Sequence, residues 1–535
     1  MAATFQTVLL MLAVLAAVAV LAKRLRAAPS ILLVVAGIGM ALIPGLPPIV
    51  LAPELVLLVI LPPLIYSAGV SMSWRDFRFN LRPIALRAFG CVVFTTCAVA
   101  ATAHFLLNFD WATGFVLGAI IAPPDVVAPL AIARRLGLPR RLVVVLEGEG
   151  LANDATALIL YRFAVLAVTT GAFRPAQAAG TFAMIVVGEI AYGIAVGWLS
   201  LRLRRWAREP RVEITLSLMT PYLAYWVPEH FGGSGVLATV ACGLYVSWVG
   251  PRLIPSTTRL QGIFFWDLLV YLIEGMVFLL TGLQARALIE TAQAISLHDL
   301  MIATAWATLV IIAARFIWVF PATYIPRWIS PTLARRDPSP SWQGPLFLAF
   351  TGVRGVVSLA ASLAIPYALA NGEAFPHRDE ILFIVFGVII VTIVGQGLLL
   401  PLVSRWLGLA QLGSEERHHE QETEIAVRQR ALKVAQKRLD KFARNKKLPR
   451  DVIEHLRTRH EHRAQQLPEN MTEGLDHRRQ TALLKKELID VEREFIYGLL
   501  RDGKITDEAR RRIEYELDLE EASLANRHES DGGWL

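Results

Sequence analysis

Three carboxylates lie within eight residues of one otherwise apolar stretch: Glu147, Glu149 and Asp154. Asn153 directly precedes the last of them. A bare carboxylate left in lipid costs on the order of 2.5–3.5 kcal/mol, so these side chains must face protein or water. Carboxylate and amide oxygens are the ligands that hard cations prefer. Asn153 and Asp154 are therefore predicted to bind a monovalent cation and, in turn, a proton.

A second candidate ligand is Asp125, which follows Pro123 and Pro124 in another apolar stretch. Prolines lack an amide donor and clash with the preceding helical turn, so the helix is predicted to break at these two residues. The break frees backbone carbonyls beside the carboxylate. Asp125 is therefore predicted to share the metal ion with Asp154.

A matching break carries a positive charge, because Gly352 and Gly355 flank Arg354 in a later apolar stretch. Glycine weakens a helix, and a buried guanidinium needs a partner. Glu149 points about 140° away from Asp154 around their helix, which leaves it free for that role. The expectation is a structural Glu149–Arg354 ion pair that holds two helices together.

The composition shows which elements must position these residues. Of 535 residues 55% are apolar and only 18% are charged, with a mean hydropathy of +0.48, whereas soluble domains carry about 25% charged residues. Residues 413–535 alone hold 25 Lys and Arg and 26 Asp and Glu. We predict a transmembrane domain over 1–412 and a cytoplasmic helical tail over 413–535, either a plain solvated domain or a regulatory one. The basic balance belongs to the apolar part and indicates no nucleic-acid partner.

Thirteen apolar segments are long enough to cross a bilayer. They lie near residues 4–22, 30–46, 53–70, 85–107, 111–134, 142–168, 178–201, 212–228, 234–250, 263–283, 297–320, 343–369 and 380–403. Arginine and lysine concentrate in alternate loops, which predicts that those loops are cytoplasmic. The N-terminus is then outside, the tail inside, and the chain a multi-pass protein of the inner cell membrane.

The two breaks fall in the fifth and twelfth segments, which are the fifth helices of two halves of six. Matching interrupted helices indicate inverted repeats with a substrate site near the midplane. The predicted fold class is thus an all-α polytopic membrane protein with 13 transmembrane helices and broken helices 5 and 12. Lipids are its surroundings, and no cofactor is expected.

One carboxylate is enough for exchange. An occluded Asp154 is neutral when it holds a proton or one Na⁺ or K⁺, and burial disfavours its empty, charged form. Proton and cation therefore compete, which predicts electroneutral antiport by alternating access and no enzyme activity.

Four motifs in order resemble the monovalent cation:proton antiporter-1 family of sodium/proton exchangers. They are the runs 61–66, 146–154 and 352–358 and the Gln396-Gly397 pair. The resemblance implies a homodimer, ion binding by Asn153 and Asp154 beside Asp125, and pairing of Glu149 with Arg354. Pro124 and Gly150 depart from the family, which often has Thr and Ser there, so cation preference stays open.

Alternative functions fit parts of the sequence. One is a proton-coupled transporter of another small solute, in which Arg354 would bind an anion. Another is a membrane sensor that signals through its C-terminal tail. An intramembrane hydrolase is disfavoured because Ser234 lacks a partnered histidine.

Overall fold

The computed structural model describes residues 2–25, 28–43, 51–171, 175–286, 288, 296–369, 372–445, 450–465, 475–502 and 504–530. In these ranges all regular structure is helical, apart from one isolated bridge between Ala368 and Ala374. The chain divides into two compact units, Met1–Ser414 and Glu415–Leu535. The predicted segment 30–46 ends outside the described residues.

The first unit is built from apolar helices, because a chain in lipid must satisfy its backbone hydrogen bonds internally. In order they are α1 Ala2–Leu25, α2 Pro29–Ala41, α3 Leu61–Ser71, α4 Trp74–Phe79, α5 Leu81–Ala85, α6 Val92–Leu107, α7 Trp111–Ile121, α8 Val127–Arg135, α9 Arg140–Thr170, α10 Pro175–Ala207, α11 Pro210–His230, α12 Val236–Leu253, α13 Ser256–Leu283, α14 Leu297–Ile329, α15 Pro331–Arg336, α16 Gln343–Phe350, α17 Val356–Leu363, α18 Arg378–Ile390 and α19 Gly397–Trp406. Wider π-turns at Leu55–Ile60, Leu86–Cys91 and Val391–Gln396 join α3, α6 and α19 to the helical residues before them. Each of the thirteen apolar segments contains a helix in its described residues, and the fifth and twelfth are interrupted at residues 122–126 and 351–355.

Eight helices of the described part are long and apolar enough to cross a membrane, by length and composition. Three shorter apolar helices, Pro29–Ala41, Leu55–Ser71 and Trp111–Ile121, accompany them. The chain is accordingly a multi-pass, all-helical membrane protein.

Small residues let some of these helices touch. A Cβ added at Gly37 on α2 would lie 2.3 Å from the carbonyl oxygen of Leu279 on α13. A Cβ added at Gly282 would lie 2.3 Å from the carbonyl oxygen of Val34. Close backbone approach of this kind is how helices associate where the surroundings are as apolar as the side chains.

Two interruptions position the candidate site. Helix α7 ends at Ile121 and α8 begins at Val127, while α16 ends at Phe350 and α17 begins at Val356. The Asp125 amide donates to the carbonyl of Val353 at 2.7 Å. The two non-helical stretches are therefore in direct backbone contact.

The second unit contains most of α20 Leu409–Asn445, with α21 Arg450–Gln465, α22 Leu475–Arg501 and α23 Asp507–Ser530. Ile489 and Ile496 on α22 pack with Leu517 on α23 in a small apolar cluster. Arg493 joins the same two helices through Asp518, at 2.5 Å, and Glu521, at 2.7 Å. These contacts define a helical hairpin.

Candidate cation-binding site

Asn153 lies on α9 with its side chain fully buried. Its Nδ2 donates to the carbonyl oxygen of Pro124 at 2.6 Å, an acceptor that the interruption after α7 leaves free. Its Oδ1 is buried and has no hydrogen-bond partner in the described part of the chain. The amide therefore ties α9 to the break and offers one oxygen to the space beside it.

Asp125 is held from both sides of the same break. Its Oδ1 accepts from the Val127 amide at 2.9 Å, the local turn that aspartate often forms two residues ahead. A Cβ added at Gly355 would lie 2.1 Å from Asp125 Oδ2. Gly355 is thus required by the close approach of this carboxylate, and Oδ2 faces the second interruption.

Asp154 follows Asn153 on α9 and is half-buried. Its side chain makes no hydrogen bond with any described residue. Its charge lies close enough to that of Asp125 for the two to repel each other. Glu274 on α13 lies within electrostatic range of Asp125 and Arg134. The structure therefore places Asn153 against the break that carries Asp125, with Asp154 and Glu274 within electrostatic range of the Asp125 carboxylate.

Gly150 shapes the same region from α9. A Cβ added there would lie 2.2 Å from Cγ2 of Val126, the residue after Asp125. The valine side chain therefore occupies the space that the Cβ of a serine at position 150 would need.

The predicted Glu149–Arg354 ion pair is wrong. Glu149 Oε1 instead accepts from Arg315 Nη1 at 2.5 Å, with both side chains fully buried. Arg315 Nε also donates to the Leu348 carbonyl at 3.1 Å. Arg315 lies on α14, inside the predicted segment 297–320. A charge in such a segment is itself a signal of a buried partner, and the sequence analysis missed it.

Arg354 binds backbone instead. Its Nε donates to the carbonyl of Ile121, the last residue of α7, at 2.5 Å, and its Nη1 donates to the Gly352 carbonyl. The Arg354 amide donates to Thr392 Oγ1 at 3.0 Å. Carbonyls at helix ends lack intrahelical partners, so the two interruptions supply acceptors for this guanidinium and a carboxylate is not needed.

Arg87 is a further buried cation that the sequence analysis missed. It lies on the π-turn Leu86–Cys91, is 5% exposed and interacts electrostatically with Glu149 and Arg315. Arg87 Nη1, Arg315 Nη2 and Glu149 Oε2 have no hydrogen-bond partner in the described part of the chain. Arg87, Arg315 and Glu149 thus form a buried polar cluster in which two donor atoms and one acceptor atom remain unpaired among the described residues.

Other carboxylates of the apolar unit have partners of their own. Glu147 pairs with Arg134 on α8. Arg162, two turns beyond Asp154, pairs with Glu229 on α11. Glu189 accepts from the amides of Ser234, at 2.5 Å, and Leu237, at 3.2 Å, at the start of α12. Asp125 and Asp154 differ from Glu147 and Glu229 because neither forms an ion pair with a basic residue in the described part of the chain.

The family model for the transmembrane sodium/hydrogen exchanger matches residues 10–406. A protein named as an uncharacterized Na⁺/H⁺ exchanger in Mycobacterium tuberculosis is 33% identical over 517 residues, covering 94% of this chain and 93% of that protein. A sodium, potassium, lithium and rubidium/H⁺ antiporter of Bacillus subtilis is 33% identical over 366 residues, covering 66% of this chain and 54% of its own. The Na⁺/H⁺ antiporter ApNhaP of Aphanothece halophytica is 31% identical and covers 75% and 73%.

Among solved structures, the fold is similar to that of the sodium proton antiporter MjNhaP1 from Methanocaldococcus jannaschii. The TM-score is 0.58 at 17% identity, covering 76% of this chain and 98% of the other. Fold and sequence therefore define a polytopic helical transporter rather than an enzyme. The chain belongs to the sodium/hydrogen exchanger family, and the resemblance found in its motifs is confirmed.

Proposed function

We propose that this exchanger moves one Na⁺ or K⁺ against one proton by alternating access, with Asp154 carrying cation and proton by turns. The observation that supports this most is the buried Oδ1 of Asn153, which has no hydrogen-bond partner among the described residues; the neighbouring Asp154 carboxyl has none there either. Oxygens without protein partners are available to a cation. No cofactor takes part, and the metal ion is cargo.

The ligand set would be Asp154, Asn153 Oδ1 and Asp125. Asp125 Oδ1 already accepts one amide, so its Oδ2 is the better-placed atom. Pro123, Pro124, Gly352 and Gly355 keep the backbone non-helical around it. Because Val126 fills the space next to Gly150, water or carbonyl oxygens would complete the shell in place of hydroxyl groups.

Charge balance explains why exchange would be obligatory. Moving an unpaired charge through a low-dielectric interior is penalised, whereas Asp154 with a proton or one monovalent cation is neutral. Loaded forms would therefore cross and the empty form would not. Asn153 adds no charge to the site, and with Asp125 in one protonation state throughout the cycle, Asp154 alone would exchange one proton per cation, which is electroneutral. The Bacillus subtilis relative is named as a sodium, potassium, lithium and rubidium/H⁺ antiporter, which supports a broad cation range.

The same proposal includes a topology. Thirteen crossings in two inverted repeats, with interruptions in helices 5 and 12, would place the N-terminus outside and residues 413–535 in the cytoplasm. Residues 1–412 would form the transporter domain, in the inner membrane and as a homodimer. The alternating distribution of loop arginines supports the orientation. Cysteine-labelling of loop positions from each side of the membrane tests it.

The competing solute-transport hypothesis assigned an anion to Arg354. That guanidinium is 1% exposed and donates to two backbone carbonyls. It is therefore occupied by the protein itself, which disfavours that hypothesis.

The deciding experiment uses inverted vesicles with an acidified lumen. Addition of Na⁺ or K⁺ should alkalinise the lumen for the wild type and not for Asp154→Asn. Asp299→Asn is the matched control, since Asp299 is an exposed carboxylate at the start of α14. Exchange that persists in Asp154→Asn contradicts the site. Exchange in the wild type that itself generates a membrane potential contradicts electroneutrality.

A further inference from the structure

A groove between α10 and α12 is not used by the exchange reaction. It encloses about 190 Å³ and lies where both helices approach their C-terminal ends. Helix α10 lines it with Trp198, Arg202 and Arg205. These positions are spaced by four and three residues, so they share one face of the helix.

The opposite wall is apolar. Tyr245, Val249 and Leu253 are spaced by four residues along α12 and form one stripe facing the groove. Trp198 is 56% exposed on the outer surface beside it. Tryptophan at the end of a membrane helix typically marks the level of the lipid headgroups.

The two arginines are exposed cations. No described carboxylate forms an ion pair with Arg202 or Arg205. They lie three residues apart at the rim of an otherwise apolar groove. Guanidinium groups recognise phosphate oxygens with paired, charge-assisted hydrogen bonds. The site therefore combines a phosphate-binding rim with walls that suit hydrocarbon.

We propose that this groove binds an anionic phospholipid, with the headgroup phosphate on Arg202 and Arg205 and the first part of an acyl chain along Tyr245, Val249 and Leu253. A soluble phosphate would use only the rim and leave the apolar walls exposed to water. A zwitterionic lipid would bring its own cation to the two arginines. The paired charge and the apolar stripe together favour an anionic lipid.

The experiment uses the full-length protein, purified in detergent and depleted of lipid. Thermal unfolding and native mass spectrometry follow titration with phosphatidylglycerol, phosphatidylethanolamine with the same chains, and glycerol 3-phosphate. Phosphatidylglycerol should bind and stabilise the wild type, while the other two should not. Equal stabilisation by glycerol 3-phosphate or by phosphatidylethanolamine would overturn the proposal.

The variant Arg202→Gln/Arg205→Gln should raise the half-saturating concentration of phosphatidylglycerol at least about tenfold, as expected for loss of one charge-assisted hydrogen bond. The matched control Arg208→Gln/Arg211→Gln removes two exposed arginines near the same surface that do not line the groove, and it should bind as the wild type does. Equal losses in both variants would mean non-specific attraction. Val249→Trp fills the groove with the arginines intact and should also abolish binding. Unchanged phosphatidylglycerol binding in Val249→Trp would contradict the proposal that an acyl chain lies along Tyr245, Val249 and Leu253.

Discussion

Arg315 on α14 donates to Glu149 on α9 at 2.5 Å, in a place where neither side chain reaches the surface. Removing one member of such a buried pair leaves an uncompensated charge and costs about 3–5 kcal/mol. The pair therefore links α9, which carries Asn153 and Asp154, to α14. Its contribution is structural, because neither residue belongs to the proposed ion ligands.

Glu149→Gln is expected to lower the free energy of unfolding by about 3–5 kcal/mol, because Arg315 then stays buried without a counterion. Glu147→Gln is the control, since Glu147 pairs with Arg134, whose side chain is 60% exposed, and exposed pairs contribute about 0–1 kcal/mol. Thermal unfolding in detergent measures both. Similar losses of stability in Glu149→Gln and Glu147→Gln would show that the buried Glu149–Arg315 pair stabilises the protein no more than an exposed pair does.

Gly150→Ser should destabilise the protein by about 1–3 kcal/mol, since its new Cβ would lie 2.2 Å from Val126 Cγ2. Val126→Ala makes room, so the double variant should recover most of the loss and place a hydroxyl group near Asp125. A double-mutant cycle on thermal unfolding gives the coupling. Gly188→Ser is the control, because nothing lies within 4 Å of a Cβ there. If the stability changes of Gly150→Ser and Val126→Ala simply add in the double variant, steric contact with Val126 does not explain why position 150 lacks a serine hydroxyl group.

Glu189→Gln should weaken the start of α12. The carboxylate accepts from the Ser234 amide at 2.5 Å and from the Leu237 amide at 3.2 Å, and a negative charge is favourable at a helix N-terminus. The expected loss is about 2–3 kcal/mol by thermal unfolding. Ser234→Ala removes only a hydroxyl donor and should cost about 1 kcal/mol. A glutamine variant as stable as the wild type would argue against a charged Glu189.

Transport should depend on pH through competition at Asp154. The deprotonated carboxylate binds the cation, so a falling pH converts more sites to the protonated form and leaves fewer for Na⁺. For one proton against one cation, the half-saturating Na⁺ concentration should rise about tenfold per pH unit in the acidic range. Flux into liposomes over a series of pH values measures it. A maximal rate that changes with pH at constant half-saturation would point to a separate regulatory group.

Hydropathy and helix-breaking residues were enough to predict an all-helical, multi-pass membrane protein. Each apolar segment contains a helix in its described residues, and non-helical stretches include Pro123–Pro124 and Gly352–Gly355, because missing donors and flexible backbone act locally. The grouping of Asn153 with Asp125 followed from their chemistry. The arginine that pairs with Glu149 could not be predicted from residue chemistry. Glu149 could have met Arg87, Arg315 or Arg354, and only the position of Arg315 on α14 relative to Glu149 decides among them.

The hydrogen bond from the Asp125 amide to the Val353 carbonyl fixes the two helix interruptions to each other. Inserting or deleting a single residue in either stretch would shift the donor away from its acceptor and leave both groups without a partner inside the protein. Length variation in related chains should therefore concentrate in surface loops and in the tail. The spacing from Ile121 to Val127 and from Phe350 to Val356 should tolerate none.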